Sequence, residues 1–385
     1  MTTRRIVGAC AAVALLGGCG GHAPSVRVEK RTTAAPGAPG FHRYEYVFPD
    51  REIDVFDAHP PFTLVERVAV RALHSIRGVA VDPRTAILYA SVGGNGGASG
   101  RGELLAYDLR RNRLLWQRRF PTGTDSLAIG RDGHTLYVPE GEKTMDDIWY
   151  VVRAANGSIA ARIHAAPGPH NTIVSPDGRF VYLGPRNSRY LVVASTRTNA
   201  VVKRIGPLEP GVRPFTVDAR RGLAYTTATG FLGFQVSSLT SGHVLYTVRI
   251  PFPWHHSPSA PSHGISLTPD GKRLAVIDVP NSYVHVFDVS HVPKRAPRHV
   301  ADIRLTASMR GKESPCGGDC GRAGWLQNSL DGRYLWVADD GDVVSTQTNR
   351  VVAYVRALSN SRYLFELDWR GSRAVRTSSR SGIAY

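Results

Sequence analysis

The 385-residue chain is poor in cysteine and methionine, with four and three residues. It is also poor in lysine, which supplies only Lys30, Lys143, Lys203, Lys272, Lys294 and Lys312 of its 48 basic residues. The apolar stretch Ile6 to Leu16 is too short for a membrane-spanning helix, which needs about 20 residues. No His-Glu-x-x-His, no nucleophile elbow and no Cys-x-x-Cys-His occurs. A zincin, an α/β-hydrolase nucleophile and covalent haem attachment therefore have no local signature. The formal charge of +17 comes almost wholly from arginines that are scattered rather than clustered. That distribution argues against nucleic-acid binding as the main function, although basic proteins are attracted to anionic surfaces.

The N-terminus reads MTTRRIVGACAAVALLGGC. Arg4 and Arg5 precede a short apolar core of signal-peptide length, and Leu16-Gly17-Gly18-Cys19 resembles a bacterial lipobox. The expectation is a lipoprotein signal at 1–18 with the lipid on Cys19. Two or more acyl chains then hold the protein stably on a membrane. Residues 19–41, rich in Ala, Pro, Gly and Thr, read as a flexible tether. No Asp follows Cys19, which resembles outer-membrane sorting in Gram-negative cells. With Cys10 in the leader and Cys19 lipidated, Cys316 and Cys320 remain. In an oxidising compartment this close pair reads as a disulfide that shapes its Gly-rich loop.

What the sequence has in abundance is repetition. Seven segments share one pattern: GVAVDPRTAILYA (78–90), SLAIGRDGHTLYV (126–138), NTIVSPDGRFVYL (171–183), PFTVDARRGLAYT (214–226), GISLTPDGKRLAV (264–276), WLQNSLDGRYLWV (325–337) and LFELDWRGSRAVR (364–376). Each is an alternating strand, a polar turn and a second strand, which is a β-hairpin. Third and fourth strands follow most copies, as in ELLAYDL (103–109) and RYLVVAS (189–195). Four strands per unit is the arithmetic of a propeller blade. The seventh hairpin has nothing after it, whereas REIDVFDA (51–58) and FTLVERVAV (62–70) precede the first. The expected fold is all-β, a seven-bladed β-propeller over 42–385 with the N-terminal strands completing the last blade. Closing the ring in this way removes exposed sheet edges.

The unit VSPDGRFVYL followed by NSRYLVVASTRTNAVVKRI resembles the YVTN-type (YncE-like) β-propeller repeat of bacterial envelope proteins. No literal Tyr-Val-Thr-Asn occurs, and the family carries no shared catalytic motif. Related propellers include lactonases and quinone-dependent dehydrogenases, so fold leaves function open.

A propeller's first strands line its channel, so the residue before each repeat should ring the channel mouth. Those residues are Arg77, Asp125, His170, Arg213, His263, Gly324 and Tyr363. Arg322, in the 306–323 loop, joins them on the same face. The set suggests capture of a small anionic ligand or glycan by Arg77, Arg213, His170 and His263, with Asp125 and Arg322 beside them. A partner protein of the envelope is an equal candidate for that face. A metal on His170 and His263 with Asp125 or Asp278 is a weaker reading, because these histidines sit in non-adjacent blades. The alternative is an enzyme at the same mouth, either a lactonase-like hydrolase or a quinone- or metal-dependent oxidoreductase. The sequence names no cofactor. The glycine-rich segment 91–102 is not read as a phosphate loop, because no helix follows it. Trp116 and Trp149 fall in outer strands and read as blade packing.

Overall fold

The computed structural model describes residues 27–30, 40–253, 259–312 and 320–378. Cys19, the Trp254-His255-His256 stretch and Cys316 lie outside them, and the expected Cys316–Cys320 bond falls with Cys316. Among the described residues no helix is long and apolar enough to cross a membrane.

The hairpins begin with turn chemistry. In the Ser175-Pro176-Asp177-Gly178 turn, Ser175 Oγ donates to Asp177 Oδ1 at 2.6 Å and Arg179 N donates to the same oxygen at 3.1 Å. Gly178 supplies the left-handed residue at φ 72°, which costs glycine no steric strain. Blades 5 and 6 repeat the device with Thr268–Asp270 and Ser329–Asp331. A short polar side chain satisfies the turn's backbone donors, which makes the motif self-supporting.

Among the described residues the chain forms seven antiparallel sheets. Blade 3 is typical: Pro169–Val174, Phe180–Pro185, Leu191–Ser195 and Val201–Ile205 lie side by side in that order. In blade 4 the first strand, Val212–Asp218, is buried throughout, while the fourth, Val244–Arg249, alternates with solvent. The first strands of blades 1 to 6 touch in succession, so they form the inner wall. The third and fourth strands are offset by a bulge in every blade, for example at Val193/Ala194 and Val286/Phe287. A bulge strengthens local twist, and its repetition gives the blades one shape.

The cores lie between blades. Tyr225 and Phe234 of blade 4 pack with Leu274 and Phe287 of blade 5, and Val284 and Val286 of blade 5 pack with Leu335 and Val344 of blade 6. Alternate residues of one strand thus serve two interfaces, as period-two patterning dictates. Trp149 belongs to such a core: it is fully buried and its Nε1 donates to Thr172 Oγ1 at 3.0 Å.

Ring closure is as expected in kind and different in detail. The last sheet combines Leu364–Arg370 with Phe41–Val47, Glu52–Asp57 and Leu64–Ala69. The repeat pattern predicts 373–376 as that blade's second strand. Phe41–Val47 takes the place instead, paired along seven residues with Leu364–Arg370, and Arg373–Thr377 lies on the opposite side of Leu364–Arg370, toward the channel. The reason is burial. Tyr46 stacks on Phe365 at 5.1 Å, and Trp369 Nε1 donates to Tyr46 Oη at 3.1 Å. Arg373 and Arg376 could not fill a buried second strand. Part of the expected tether, Arg27–Lys30, adds a further strand beside Leu64–Ala69.

Candidate functional site

The first strands of blades 1 to 5 begin beside five side chains that converge on the channel mouth: Arg77, Asp125, His170, Arg213 and His263. All five are buried. Asp125 Oδ2 lies 3.2 Å from Arg77 Nη2 and 3.2 Å from His170 Nδ1. It also accepts the backbone N–H of Glu142 at 3.2 Å.

Glu142 is the residue at the centre of the cluster that no repeat position marks. Its Oε1 lies 2.9 Å from Arg77 Nη2, and its Oε2 lies 3.0 Å from both Arg213 Nη1 and Arg186 Nη1. His170 Nε2 is 3.9 Å from the same Oε2. One loop carboxylate therefore joins cations from blades 1, 3 and 4. Arg186, like Glu142, lies outside the register that marks the ring; the sequence places Glu142 in a loop on this face, and the folded loops reveal its pairing with the arginines.

Glycines let the loops close over this cluster. The segment 91–102 forms a tight turn at Gly94–Gly97, and Lys143 N donates to Gly96 O at 2.8 Å. A Cβ on Gly96 would stand 2.8 Å from Arg77 Nη2, one on Gly123 2.2 Å from Gly97 N, and one on Gly141 2.4 Å from Gly96 O. The glycine-rich loop is thus a cap whose backbone approaches too closely for side chains.

Electrostatics follow from burial and pairing. Burial alone would raise the Asp125 carboxyl, but Arg77 and His170 hold it below its ordinary value. Burial is likewise outweighed at Glu142 by His170, Arg77, Arg213 and Arg186, which keep it well below the carboxylate range. Burial and the nearby Arg362 push His263 well below its ordinary value, so its imidazole is neutral at pH 7. Burial lowers Arg213 to about 10, with Glu142 pulling it up and Arg186 pushing it down. Three guanidiniums (Arg77, Arg186 and Arg213) thus meet two carboxylates. Arg213 Nη2 and His263 Nδ1 are buried without a hydrogen-bond partner.

The rest of the ring is aromatic. His263 meets Trp325 edge-on at 4.9 Å, and Trp325 packs on Tyr363 at 5.1 Å. The Tyr363 hydroxyl donates to Arg77 O across the closure. Cys320 Sγ accepts from Arg77 Nη1 at 3.0 Å. Arg322 is not drawn in; it donates to Ser308 O at 3.0 Å within its own loop. Asp278 also lies elsewhere, against His285.

Asp125, Glu142 and His170 are close enough to share a cation. The guanidiniums bonded to both carboxylates oppose one. Beneath the cluster the channel is hollow and apolar, a cavity of about 110 Å³ walled by Val79, Leu127, Ile173, Leu326 and Phe365, with Thr377 and Ser378 at its edge. The mouth is therefore closed by charge over a greasy interior, rather than open to solvent.

No family model matches the chain, and no curated protein matches it in sequence. Solved structures do resemble it. Kuenenia stuttgartiensis hydrazine synthase shares 14% identity over 80% of this chain and 96% of its own, with a TM-score of 0.55. The dihydro-heme d1 dehydrogenase NirN, solved in complex with DHE, shares 14% over 92% of this chain and 77% of its own, with a TM-score of 0.58. The β-propeller domain of Cps50 (Swd1) from Myceliophteria thermophila shares 10% over 73% of this chain and 86% of its own, with a TM-score of 0.55. These likenesses establish the β-propeller fold.

Proposed function

We propose that the protein is an envelope-anchored binding propeller whose channel mouth captures a small carboxylate- or phosphate-bearing anion. The observation that carries this reading is Glu142. Its carboxylate already occupies a pocket of arginines supplied by blades 1, 3 and 4, while a further donor, Arg213 Nη2, stays unused and buried. Such a constellation recognises a bidentate anion. The ligand would displace Glu142 and gain the unused donor, with the glycine cap moving as one piece.

The solved neighbours include a synthase and a dehydrogenase, which makes an enzyme the competing reading. The two carboxylates of the cluster do not favour it: Asp125 and Glu142 are ion-paired and held ionised, so neither is poised to give up a proton near neutral pH. Capture of a partner protein gains no apolar patch either. The large exposed apolar side chains described lie mostly on fourth strands at the ring's flank (Leu115, Val202, Leu245, Val352), with only Met145 and Tyr190 of that set sharing one hollow among the loops of blades 2 and 3.

The reading includes lipid anchoring at Cys19, a periplasmic or surface-facing propeller and a Cys316–Cys320 disulfide in the mouth loop. Cys19→Ser should release the protein from membranes. The binding itself is tested by thermal denaturation with inorganic phosphate or citrate against chloride at equal ionic strength. Stabilisation of wild type that Arg213→Met abolishes supports capture. Equal melting in all three salts overturns it.

A further inference from the structure

We propose a divalent transition-metal site on the flank of blade 5, built from His285, His299 and Asp302, with Asp278 as its positioning residue. The site is separate from the channel mouth and does not rest on the reading given for it.

Tyr283–Asp288 and Arg298–Arg304 are the third and fourth strands of blade 5. His285 and Asp302 are directly opposed across them, and the bulge at Val286/Phe287 brings His299 to the same face. Asp302 Oδ1 lies 2.6 Å from His285 Nδ1 and 2.7 Å from His299 Nε2. The three ligand atoms all fall within 4.8 Å of one another. Zinc bonds to imidazole and carboxylate are about 2.0–2.2 Å, which sets ligand atoms roughly 3.3 Å apart in a tetrahedron. Moving the Asp302 oxygen off the two imidazole nitrogens by less than about 1 Å brings both of those separations to this geometry.

The second feature is the buttress. His285 Nε2 lies 3.2 Å from Asp278 Oδ2, and both residues are buried. Asn281 holds the same carboxylate through two donors. A carboxylate on the far nitrogen fixes the tautomer that leaves Nδ1 free to ligate, the arrangement found behind metal-bound histidines. Phe252 packs edge-on against His285 at 4.8 Å and Tyr283 stacks on it at 6.2 Å, fixing the ring plane. In contrast, His299 and Asp302 are exposed, so an ion enters from solvent and a water completes its shell. With neutral imidazoles, the carboxylates of Asp278 and Asp302 balance a dication. Two imidazoles with one carboxylate suit Zn²⁺, Ni²⁺ or Cu²⁺ rather than Mg²⁺ or Ca²⁺.

The test is titration of the purified, chelator-stripped protein with Co²⁺, read by visible absorption. One equivalent should give the intense band of low-coordinate Co²⁺, and Zn²⁺ should displace it. His299→Ala and Asp302→Ala should each abolish that band, with near-ultraviolet circular dichroism showing an intact fold. Asp278→Asn should weaken binding by about 10–100-fold, as loss of such a buttress does. His164→Ala, which removes a similar exposed His–Asp pair with Asp147, should change nothing. The proposal is overturned if wild type shows only the pale spectrum of aquo Co²⁺. It is equally overturned if His299→Ala and Asp302→Ala bind as well as wild type.

Discussion

Arg43 and Asp368 stand 325 positions apart in the chain and meet through two hydrogen bonds, Nε to Oδ1 at 2.6 Å and Nη2 to Oδ2 at 3.2 Å. Both side chains are buried. Arg43 also reaches Asp331 in the blade 6 turn, Nη1 to Oδ2 at 2.9 Å, so one guanidinium ties the N-terminal strand to two blades. Removing one partner of a buried pair costs about 3–5 kcal/mol when the other is left uncompensated; Asp368 keeps Arg376 at 2.9 Å, so the lower end, about 3 kcal/mol, applies here. Arg43→Met should therefore lower the stability read from urea denaturation by that amount, and the double change Arg43→Met with Asp368→Leu should recover part of it. Recovery is the informative readout, because it separates a stranded charge from lost packing. A single variant within about 0.5 kcal/mol of wild type would show that closure does not depend on this clasp.

The channel mouth sets a limit on the acid side. Asp125 and Glu142 have folded values below their ordinary 3.8 and 4.5. Such groups release their protons more readily in the folded protein, so their contribution is complete above pH 4.5 and is lost as pH falls through the lower folded values. Glu142→Gln removes that dependence and also leaves the arginines under-neutralised. Its stability at pH 7 should drop, and its further loss between pH 5 and pH 3 should be shallower than in wild type. Parallel pH curves for the two proteins would remove Glu142 from the electrostatic account.

Blade 6 behaves in the opposite sense. Burial and the neighbouring Asp342 raise the Asp340 carboxyl from 3.8 to about 7. Asp340 and Asp342 accept the backbone N–H groups of Ala307 and Thr306 at 2.7 and 2.8 Å, so the pair anchors the loop that runs toward the mouth. A raised carboxyl value means that the folded state holds the proton longer. Its contribution is full below pH 4 and disappears as pH rises to about 7. Asp342→Asn keeps an acceptor for Thr306 and offers Asp340 a donor in place of a second carboxyl. It should gain at least about 1 kcal/mol over wild type at pH 8, and little at pH 4. Chemical denaturation at the two values checks this, and an equal effect at both would contradict it.

The repeat is legible in the sequence because its cause is local. Alternation in NTIVSPDGRFVYL and the Ser175–Asp177 turn act within a dozen residues, and the first-strand register alone is enough to bring Arg77, Asp125, His170, Arg213 and His263 to one mouth. Closure is half legible. Glu52–Asp57 and Leu64–Ala69 stand out as orphan strands, whereas Phe41–Val47 is lost against the tether because its partner, Leu364–Arg370, lies at the other end of the chain. Glu142 is illegible in its role for a related reason. Its position is set by Gly96, Gly123 and Gly141, which allow three loops to touch, and loop contact leaves no periodic trace. His285, His299 and Asp302 also escape notice, because cross-strand pairing at a bulge brings together residues that share no linear spacing.

Gly264 tests how tightly the mouth is drawn. A Cβ there would fall 1.8 Å from Gly324 O, which makes the close approach of the first strands of blades 5 and 6 dependent on a missing side chain. Gly264 adjoins His263, whose ring meets Trp325 at 4.9 Å. Gly264→Ala must therefore push the two strands apart directly beside the ring of mouth residues. Overpacking of this kind costs about 1–3 kcal/mol, occasionally more. The expected outcome is a lower thermal midpoint with altered near-ultraviolet dichroism as Trp325 leaves its contact. The displacement should also weaken phosphate or citrate binding, since His263 moves with it. An unchanged midpoint and spectrum would mean that the blades can part here without loss, and that the mouth is a looser assembly than its buried ion pairs imply.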